Sequence, residues 1–521
     1  MTESAADTPE KTIPSFPFWL LSFVLLLPWV YVQHQTSINS DVAWLSICAD
    51  RFLNGGSMLH DCYDTNPPLS VLIYTPFVWL SEVLSVPVYH CVFWLTFAFI
   101  ILGVYVTQKI LRSFPILSDL EKNILLLTYL CSITIIPTLY YAERDHFLAI
   151  MLLPFILVQI GLTYDYKTPK FTTFLVLTLG SIALLLKPHF GLIPVFLFLH
   201  RMVIQRRFWV IKDQDFLVLL SLSIGYLATV FIYFNDFITI ILPDIIQAYL
   251  NYNDPHKSYA TALPYAALVA MCFTCIAFIK DKSKALLFTI AGCTLLSLVV
   301  YCLQMKGFTY HRLPLYALLF PLLGILCLKI AQLFTKQNQI LFFGLTIVIF
   351  ASSYAHAPLR PDYPTHADYQ SNEITEYIDE HCEQPCSFYI TYENMDIVSQ
   401  IALYSEHTYA TRFPSFWFLS TFQSEPPNDT QKRFANYVAK DMERFSPSLI
   451  FVMVESPAVG VLDESKTLAG YFTFSPEFEK VMSTYEKTDR LTVDRAYFYK
   501  GTPYDFPYLI TWDVYTKVSE K

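Results

Sequence analysis

Apolar runs separated by short polar loops dominate the first two thirds of the chain. Eleven of these runs are each roughly 17–22 residues long, which is enough for a helix to cross the hydrocarbon core of a bilayer. The pattern therefore predicts a polytopic α-helical membrane domain over residues 1–357, with about eleven transmembrane helices. The predicted spans are 16–34, 88–107, 122–141, 146–164, 171–186, 189–204, 215–234, 260–279, 285–304, 313–333 and 339–355.

Residues 69–86 form a further apolar segment, which prolines bound on both sides, at Pro67-Pro68 and at Pro87. We expect this segment to lie as a helix in the outer interface of the membrane rather than to cross it. If it crossed, every later loop would change sides.

The pattern changes after a Pro-rich segment at 357–364, beyond which charges return and no run is long enough to span a membrane. Residues 358–521 are therefore expected to form a separate soluble domain. Helical and extended patterns alternate within it, which predicts an α/β layered sheet that serves, by analogy, in acceptor recognition or as a lid. Helices are expected at 371–381, 394–404, 430–445 and in turns around 464–483, and strands at 387–391, 408–412, 449–454 and 491–499.

Composition narrows the class of protein. Only 15% of the residues are charged, whereas soluble proteins average about 25%, and 17% are aromatic, as in a polytopic membrane protein with many interfacial rings. The net charge of −9 argues against a nucleic-acid-binding protein, which needs a basic face. The sequence holds no P-loop, GxGxxG or HExxH motif, so it gives no support to an ATP-driven pump or a zinc protease.

Loop charges predict the orientation. One set of predicted loops holds 15 Lys and Arg residues and the other set holds 6. Because cytoplasmic loops carry the excess of positive charge, the N-terminus is expected in the cytoplasm and the C-terminal domain in the periplasm or its equivalent. The chain is then a multi-pass protein of the cell (inner) membrane.

Four of the 11 cysteines lie outside the predicted spans: Cys48, Cys62, Cys382 and Cys386. In an oxidising compartment they could form two disulfides, one in the first outer loop and one in the soluble domain. A metal site at the second pair is the less favoured alternative, because a second pair of ligands is missing.

Charged and polar residues converge on the predicted outer face. Charges this close to hydrocarbon are costly unless they are paired or functional. Each also has a structural interpretation: a helix cap for Asp145, an ion pair for Arg144, snorkelling for Lys187 and Lys306. The convergence itself favours a site that handles an anionic lipid headgroup and a hydroxyl acceptor. Its members are Asp41, Asp61, Asp64, Asn66, Glu143, Arg144, Asp145, Lys187, His189, Lys306, His311 and Arg312.

This layout resembles the GT-C superfamily of glycosyltransferases that use lipid-phosphate sugars, and is most similar to the protein O-mannosyltransferases and the lipid A aminoarabinose transferases. The resemblance rests on an acid just after the first span, a long first outer loop, a Pro motif and an acidic second outer loop. By position Asp41 matches the catalytic acid of the family, and Glu143 or Asp145 matches the acid of the second loop. Asn66-Pro67-Pro68 matches a Lys-Pro-type element, and Asn66 stands where the family often has a basic residue.

The resemblance implies a polyprenyl-phosphate-linked sugar as donor, a cell-envelope acceptor, surrounding membrane lipids and inversion at the anomeric carbon. We expect Asp41 to act as general base, with Glu143 and Asp145 orienting the acceptor or holding a divalent metal ion. Candidate metal ligands are Asp145, His146 and His60. The substrate-binding candidates are Asp61, Asp64, Asn66, Arg144, Lys187, His189, Lys306, His311 and Arg312, whose cations would contact the donor phosphate.

Two alternatives stay open. A flippase or transporter of lipid-linked sugars is typically built from repeated halves with broken helices, and no convincing repeat occurs in this sequence. An O-antigen-type polymerase or ligase would also act on the outer face, but it usually carries a large late outer loop where this chain has a C-terminal domain.

Overall fold

Helices make up most of the computed structural model, which describes residues 16–249, 253–332, 364–382, 386–392, 397–405, 407–421, 426–455, 468–494 and 509–518. The helices of the membrane domain are α1 (Phe16–Gln35), α2 (Ser40–Leu53), α3 (Leu69–Leu72), α4 (Thr75–Leu84), α5 (Val88–Leu111), α6 (Asp119–Thr134), α7 (Arg144–Thr163), α8 (Lys170–Leu186), α9 (Leu192–Gln205), α10 (Gln214–Tyr233), α11 (Leu242–Tyr249), α12 (Pro255–Phe278), α13 (Lys284–Gln304) and α14 (Leu313–Ala331).

Six of the described helices are long and apolar enough to cross a membrane, namely α5, α7, α10, α12, α13 and α14. Four further predicted spans, at 16–34, 122–141, 171–186 and 189–204, coincide wholly or partly with α1, α6, α8 and α9. The predicted span at 339–355 lies outside the described residues, so the count of eleven spans stays a prediction.

Two predicted helices end differently in the structure. The run at 122–141 is α6 followed by a short 3₁₀ turn, Thr138–Tyr140, because Pro137 disfavours helix in the residue before it. The segment at 69–86 is split into α3 and α4, and Pro76 lies at the start of α4, where its missing N–H costs nothing.

Helix α7 is the centre of the membrane domain. All but one of its residues are buried, and it packs against α5, α8 and α14. In contrast, α10 buries only Asp215 and Val230 of its 20 residues, although its sequence is strongly apolar. An exposed apolar face of this length is suited to lipid contact, so α10 lies at the periphery of the domain.

The C-terminal residues form a five-stranded sheet in the order β2-β1-β3-β5-β4. Strand β1 pairs in parallel with β2 and β3, whereas β5 pairs antiparallel with β3 and β4. The strands are β1 (Ser387–Ile390), β2 (Thr408–Tyr409), β3 (Leu449–Glu455), β4 (Tyr485–Asp494) and β5 (Leu509–Lys517). The helices are α15 (His366–Gln370), α16 (Glu373–His381), α17 (Val398–Tyr404), α18 (Asp429–Phe445) and α19 (Pro476–Met482).

Strand β4 begins earlier than the strand expected at 491–499, of which residues 495–499 lie outside the described part. Strand β5 was not expected from the sequence. It lies between β3 and β4 and buries Trp512 and Val514, so it fills the centre of one half of the sheet. The helix expected at 430–445 begins at Asp429, and Asn428 caps it.

Two disulfides join the four cysteines singled out in the sequence. Cys48–Cys62 ties the end of α2 to the loop that follows it, and Cys382–Cys386 closes a short loop before β1. The first disulfide holds the long first loop against α2, whose first turn contains Asp41, and this restricts how the loop can move.

Candidate active site

Two ion pairs link the first loop, α7 and α8 at one end of the membrane domain. Asp41 lies in the first turn of α2, which Asn39 caps by accepting the Asp41 N–H at 2.8 Å. Its Oδ2 is 3.3 Å from Nη2 of Arg144, the first residue of α7. Beside this pair, the ammonium group of Lys187, just after α8, is 3.0 Å from Oδ2 of Asp145. We call Asp41, Asp64, Glu143, Arg144, Asp145 and Lys187 the charged cluster.

The side chains of the two ion pairs differ in how far they are exposed to solvent. The Asp41 side chain is 16% exposed, whereas those of Arg144 and Asp145 are 3% and 0% exposed. Arg144 Nε and Nη1 have no hydrogen-bond partner within the described residues. Because a buried charged donor without a partner is costly, these two N–H groups are suited to an anionic ligand.

Glu143 is the buried carboxyl group of the cluster. It occupies the N-cap position of α7, but its side chain makes no capping hydrogen bond, and neither carboxylate oxygen has a partner among the described residues. Burial and the nearby Asp41 carboxylate raise the pKa of Glu143 well above its usual value. Asp145 does not cap the helix either, since its carboxylate faces Lys187.

Asp64 and Asn66 form a local turn beside the two ion pairs. The Asp64 carboxylate accepts the backbone N–H and the side-chain amide of Asn66, both at 2.7 Å. Burial raises the pKa of Asp64, and the charges of Arg144 and Asp41 act on the same carboxyl group. Asn66 does not cap a helix, because α3 begins at Leu69 and Asn66 turns back to Asp64.

A second group of residues lies next to the charged cluster. We call Lys306, His311 and Arg312, together with Lys187 and His189, the basic group. Lys306 and His311 are 9% and 6% exposed, and burial lowers the pKa of Lys306 to about 8. The charges of Lys187, Arg144, His189 and Lys306 all act on the His311 ring, which places the basic residues of three loops around it. The side-chain Nδ1 of His311 has no hydrogen-bond partner in the described part of the chain.

Arg312 sits among tyrosines at the edge of this basic group. Its Nη1 donates to the Tyr265 hydroxyl at 3.2 Å, and its guanidinium carbon lies 5.7 Å and 6.0 Å from the ring centroids of Tyr265 and Tyr301. Stacking on aromatic rings holds a guanidinium in a fixed plane without neutralising it. The positive charge of Arg312 is therefore positioned but not cancelled by these contacts.

Three sequence candidates are not part of the charged cluster. Asp61 pairs with Arg444 of the soluble domain at 2.6 Å and accepts the backbone N–H of Ser57. His60 is exposed. Both ring nitrogens of His146 are engaged, one by the backbone N–H of Ala142 and the other by the carbonyl of Ile133.

These contacts bear on the candidate metal ligands. His146 could bind a metal only by giving up a backbone hydrogen bond, and the Asp145 carboxylate already faces the Lys187 ammonium. Within the described ranges, no group of three or more His, Cys, Asp or Glu side chains is arranged to hold a metal ion. The contacts of Asp145 and His146 therefore do not favour metal binding by these two side chains, and a divalent metal ion stays a prediction.

Tyr310 and Arg51 were missed by the sequence reasoning. The centroid of the Tyr310 ring lies 5.7 Å from the Lys187 ammonium and 5.6 Å from the centroid of the Tyr140 ring, so Tyr310 packs beside the charged cluster. In the sequence, its place between Phe308 and His311 could have indicated a position at the site. The guanidinium group of Arg51 donates to backbone carbonyls of Tyr409 and Thr411 in the soluble domain.

The first loop also anchors the soluble domain at other points. The backbone N–H of Tyr63 donates to the carbonyl of Arg412 at 2.7 Å, and Arg412 Nη1 donates to the carbonyl of Leu59 at 2.8 Å. The Tyr63 hydroxyl donates to Asp244 of α11 at 2.9 Å. One loop thus carries Asp41 and Asp64 and binds the soluble domain.

The membrane helices and the trailing sheet together form a fold that is known from a solved structure. The chain is similar in fold to ArnT from Cupriavidus metallidurans in the apo state, with a TM-score of 0.52 and 12% identity over 96% of this chain and 98% of ArnT. The resemblance seen in the sequence is thereby confirmed at the level of the fold.

Two further structures are more distant. The arabinofuranosyltransferase AftD from Mycobacteria has a TM-score of 0.48 and 12% identity, covering 98% of this chain and 40% of AftD. The oligosaccharyltransferase AglB from Archaeoglobus fulgidus has a TM-score of 0.46 and 8% identity, covering 91% of this chain and 73% of AglB. The sequence matches no protein-family model and no curated protein.

Proposed function

We propose that this protein is a GT-C-type glycosyltransferase that moves a sugar from a polyprenyl-phosphate donor to an acceptor of the cell envelope, on the outer face of the cell membrane. The observation that carries the proposal is the arrangement of one accessible carboxylate, Asp41, beside buried cations on a GT-C fold. Such an arrangement can take a proton from an acceptor and hold the charge of a departing phosphate.

Asp41 is assigned as the general base. Of the acids in the two ion pairs and Glu143, Asp41 alone has an exposed side-chain surface, so an acceptor hydroxyl or amine can reach it. As the acceptor attacks the anomeric carbon, Asp41 takes its proton and the bond from that carbon to the donor phosphate oxygen breaks. A single displacement inverts the anomeric centre.

Arg144 and Glu143 are positioning residues for this step. Arg144 holds the Asp41 carboxylate by its Nη2 and keeps two further donors free of protein contacts among the described residues. Glu143, with its raised pKa, favours the neutral form and can donate a hydrogen bond to the acceptor. Asp145 fixes the ammonium group of Lys187.

The basic group is assigned to the donor phosphate. Cleavage leaves polyprenyl phosphate with an additional negative charge, which cations in a poorly solvated site stabilise more strongly than water does. Lys306 and His311 are largely buried, and Arg312 presents a fork that matches two phosphate oxygens. Lys187 and His189 complete this group at the end of α8.

A direct test uses the purified full-length protein with polyprenyl-phosphate sugars and cell-envelope acceptors, with release of polyprenyl phosphate as the readout. Asp41→Asn keeps the shape of the side chain but cannot accept the proton, so turnover is expected to fall about 10²–10⁴-fold. Asp50→Asn is the matched control, because Asp50 lies on the same helix and is exposed.

The outcomes are separable. Wild-type turnover in the Asp41→Asn variant would remove Asp41 as the base. Movement of an intact donor across proteoliposome membranes, without release of polyprenyl phosphate, would show a flippase and overturn the proposed transfer. Comparing the cell-surface glycans with and without the gene by mass spectrometry would then identify the sugar and the acceptor.

A further inference from the structure

A cavity of about 860 Å³ lies at the opposite end of the membrane domain from the charged cluster. Helix α7 begins at the cluster with Arg144 and ends at Thr163, about 30 Å away for a helix of this length. The cavity lies where α7 ends and α8 begins, and the end of α9 and the start of α10 close it on the other side. No step of the proposed transfer uses it.

The wall of this cavity contains a buried arginine. Arg201 is 1% exposed and donates to both carboxylate oxygens of Asp215, at 2.7 Å and 3.1 Å, and to Asp213 at 3.2 Å. A further hydrogen bond joins it to Gln159. Its Nε has no partner within the part of the chain that the structure describes. The wall of the cavity thus contains a buried cation whose hydrogen-bonding capacity is not fully used by the described residues.

The cavity carries opposite charges in equal number. Three cations line it, Arg201, Arg207 and Lys212, together with the three acids Asp165, Asp213 and Asp215. Lys212 and Asp165 are exposed, and no ion pair engages either of them among the described residues. The Lys212 ammonium lies 5.0 Å from the centroid of the Trp209 ring. The rim therefore offers one cation and one carboxylate to the same ligand.

The surface around the rim is apolar and aromatic. Phe208 is 80% exposed, Trp209 64% and Val203 74%, and Leu217 on the adjoining turn of α10 is 47% exposed. Exposed aromatic rings beside cations are typical of the membrane–water interface. Acyl chains can lie along the exposed apolar face of α10, so a ligand of this cavity has a path for its hydrocarbon.

From these features we propose that the cavity binds the headgroup of a zwitterionic aminophospholipid, of the phosphatidylethanolamine type, in the leaflet opposite to the site of sugar transfer. The phosphodiester would contact Lys212 and Arg207, which also pairs with Asp213, while Arg201 adds its positive charge from the wall of the cavity. The primary ammonium group would donate hydrogen bonds to Asp165. This binding is independent of the proposed transferase activity.

Native mass spectrometry of the full-length protein in detergent tests the inference, with phosphatidylethanolamine, phosphatidylcholine and phosphatidylglycerol of identical acyl chains and with inorganic phosphate. Phosphatidylethanolamine is expected to bind about fivefold more tightly than the other two lipids, since choline has no N–H donor and glycerol has no positive charge. Asp165→Asn should abolish this preference, and Lys212→Ala should weaken all three lipids.

Lys282→Ala is the matched control, because Lys282 is an exposed cation between α12 and α13 and does not line the cavity. It should leave all four affinities unchanged. Equal or tighter binding of phosphatidylglycerol by the wild type would overturn the zwitterionic assignment. Inorganic phosphate that displaces every lipid at the same concentration would indicate a site for free phosphate instead, and wild-type binding by both cavity variants would exclude the site.

Discussion

The guanidinium group of Arg144 lies 3.3 Å from the carboxylate of Asp41, although 103 residues separate the two in sequence. The contact joins the first turn of α2 to the first turn of α7, and α7 is the most completely buried helix of the membrane domain. The acid assigned as base is therefore held by a residue that the core of the protein fixes in place.

Glu143 gives the first prediction. Its raised pKa means that the neutral carboxyl group stabilises the fold below its usual pKa of about 4.5 and that this stability is lost as pH rises through the folded pKa. Glu143→Gln mimics the neutral form, so the melting temperature of the variant relative to wild type should increase between pH 5 and pH 8. Glu82→Gln, an exposed control, should show a constant difference. The same constant difference for Glu143→Gln would refute a raised pKa.

Donor binding gives the second prediction. Lys306→Ala and Arg312→Ala should each weaken binding of the polyprenyl-phosphate sugar about tenfold, the value of one lost charge-assisted contact of about 1.4 kcal/mol. Arg312→Lys should restore only part of this, because lysine lacks the planar fork. Donor titration normalised to folded protein is the measurement, with Lys282→Ala as control. Unchanged donor affinity together with lower stability would mark these residues as structural anchors.

The positions of most described helices could be predicted because the length that a helix needs to cross a bilayer sets the length of an apolar run. The run at 285–304, for example, is helix Lys284–Gln304. The loop pattern placed Asp41 and Arg144 on one side of the membrane, but that they pair with each other is a finding of the structure. The partners of Asp61 and His146 could not be predicted, since they depend on how distant segments pack: Arg444 is 383 residues from Asp61, and a main-chain carbonyl engages His146.

Strand β5 was not predicted from the sequence, for a related reason. Its residues Leu509–Lys517 alternate imperfectly, and what buries Trp512 and Val514 is pairing with β3 and β4 on both sides. Strand propensity depends on such neighbours more than on the local sequence. Two of the three carbonyls that Arg51 engages likewise lie far along the chain, in the soluble domain, so its own loop could not indicate them.

His366 gives a pH-dependent prediction at the junction of the two domains. Its ring nitrogens contact the Tyr404 hydroxyl and the carbonyl of His34, both at 2.8 Å, and burial lowers the pKa of His366 to about 4. A histidine with a lowered folded pKa stabilises the fold above its usual pKa of about 6.5, and this stability is lost as pH falls toward 4.

Amide hydrogen exchange in residues 364–370 should therefore accelerate between pH 7 and pH 5, after correction for the intrinsic effect of pH. The His366→Gln variant should show less of this acceleration, because glutamine does not titrate. His60→Gln is the control, since His60 is exposed in the first loop. Equal acceleration in wild type and in His366→Gln would assign the effect to another group.

Arg51 gives a prediction about stability. Its two terminal nitrogens donate to three backbone carbonyls, those of Asp61, Tyr409 and Thr411. Arg51→Met should cost about 3 kcal/mol, because the carbonyls lose a charged donor and stay shielded from water. Thermal unfolding measures the loss, and Asp50→Asn on the same helix should cost little. A loss below about 0.5 kcal/mol would mean that water replaces the guanidinium.

The orientation of the chain gives the last prediction. A reporter fused after Lys521 should be active outside the cytoplasm, and one inserted at 206–212, between α9 and α10, should be active inside. If the C-terminal reporter were active in the cytoplasm instead, residues 69–86 would cross the membrane or another span would be miscounted. The charged cluster would then no longer lie on the outer face.

Helix α2 links the charged cluster to the soluble domain. Asp41 lies in its first turn and Arg51 in its last, about 15 Å apart along the axis, and the Cys48–Cys62 disulfide acts as a clamp between them. Arg51 is held by carbonyls of the soluble domain and Asp41 by Arg144 of α7, so α2 connects the soluble domain to the core of the membrane domain. Under the proposed function, an acceptor that contacts the soluble domain would therefore lie at one end of a helix whose other end carries the assigned base.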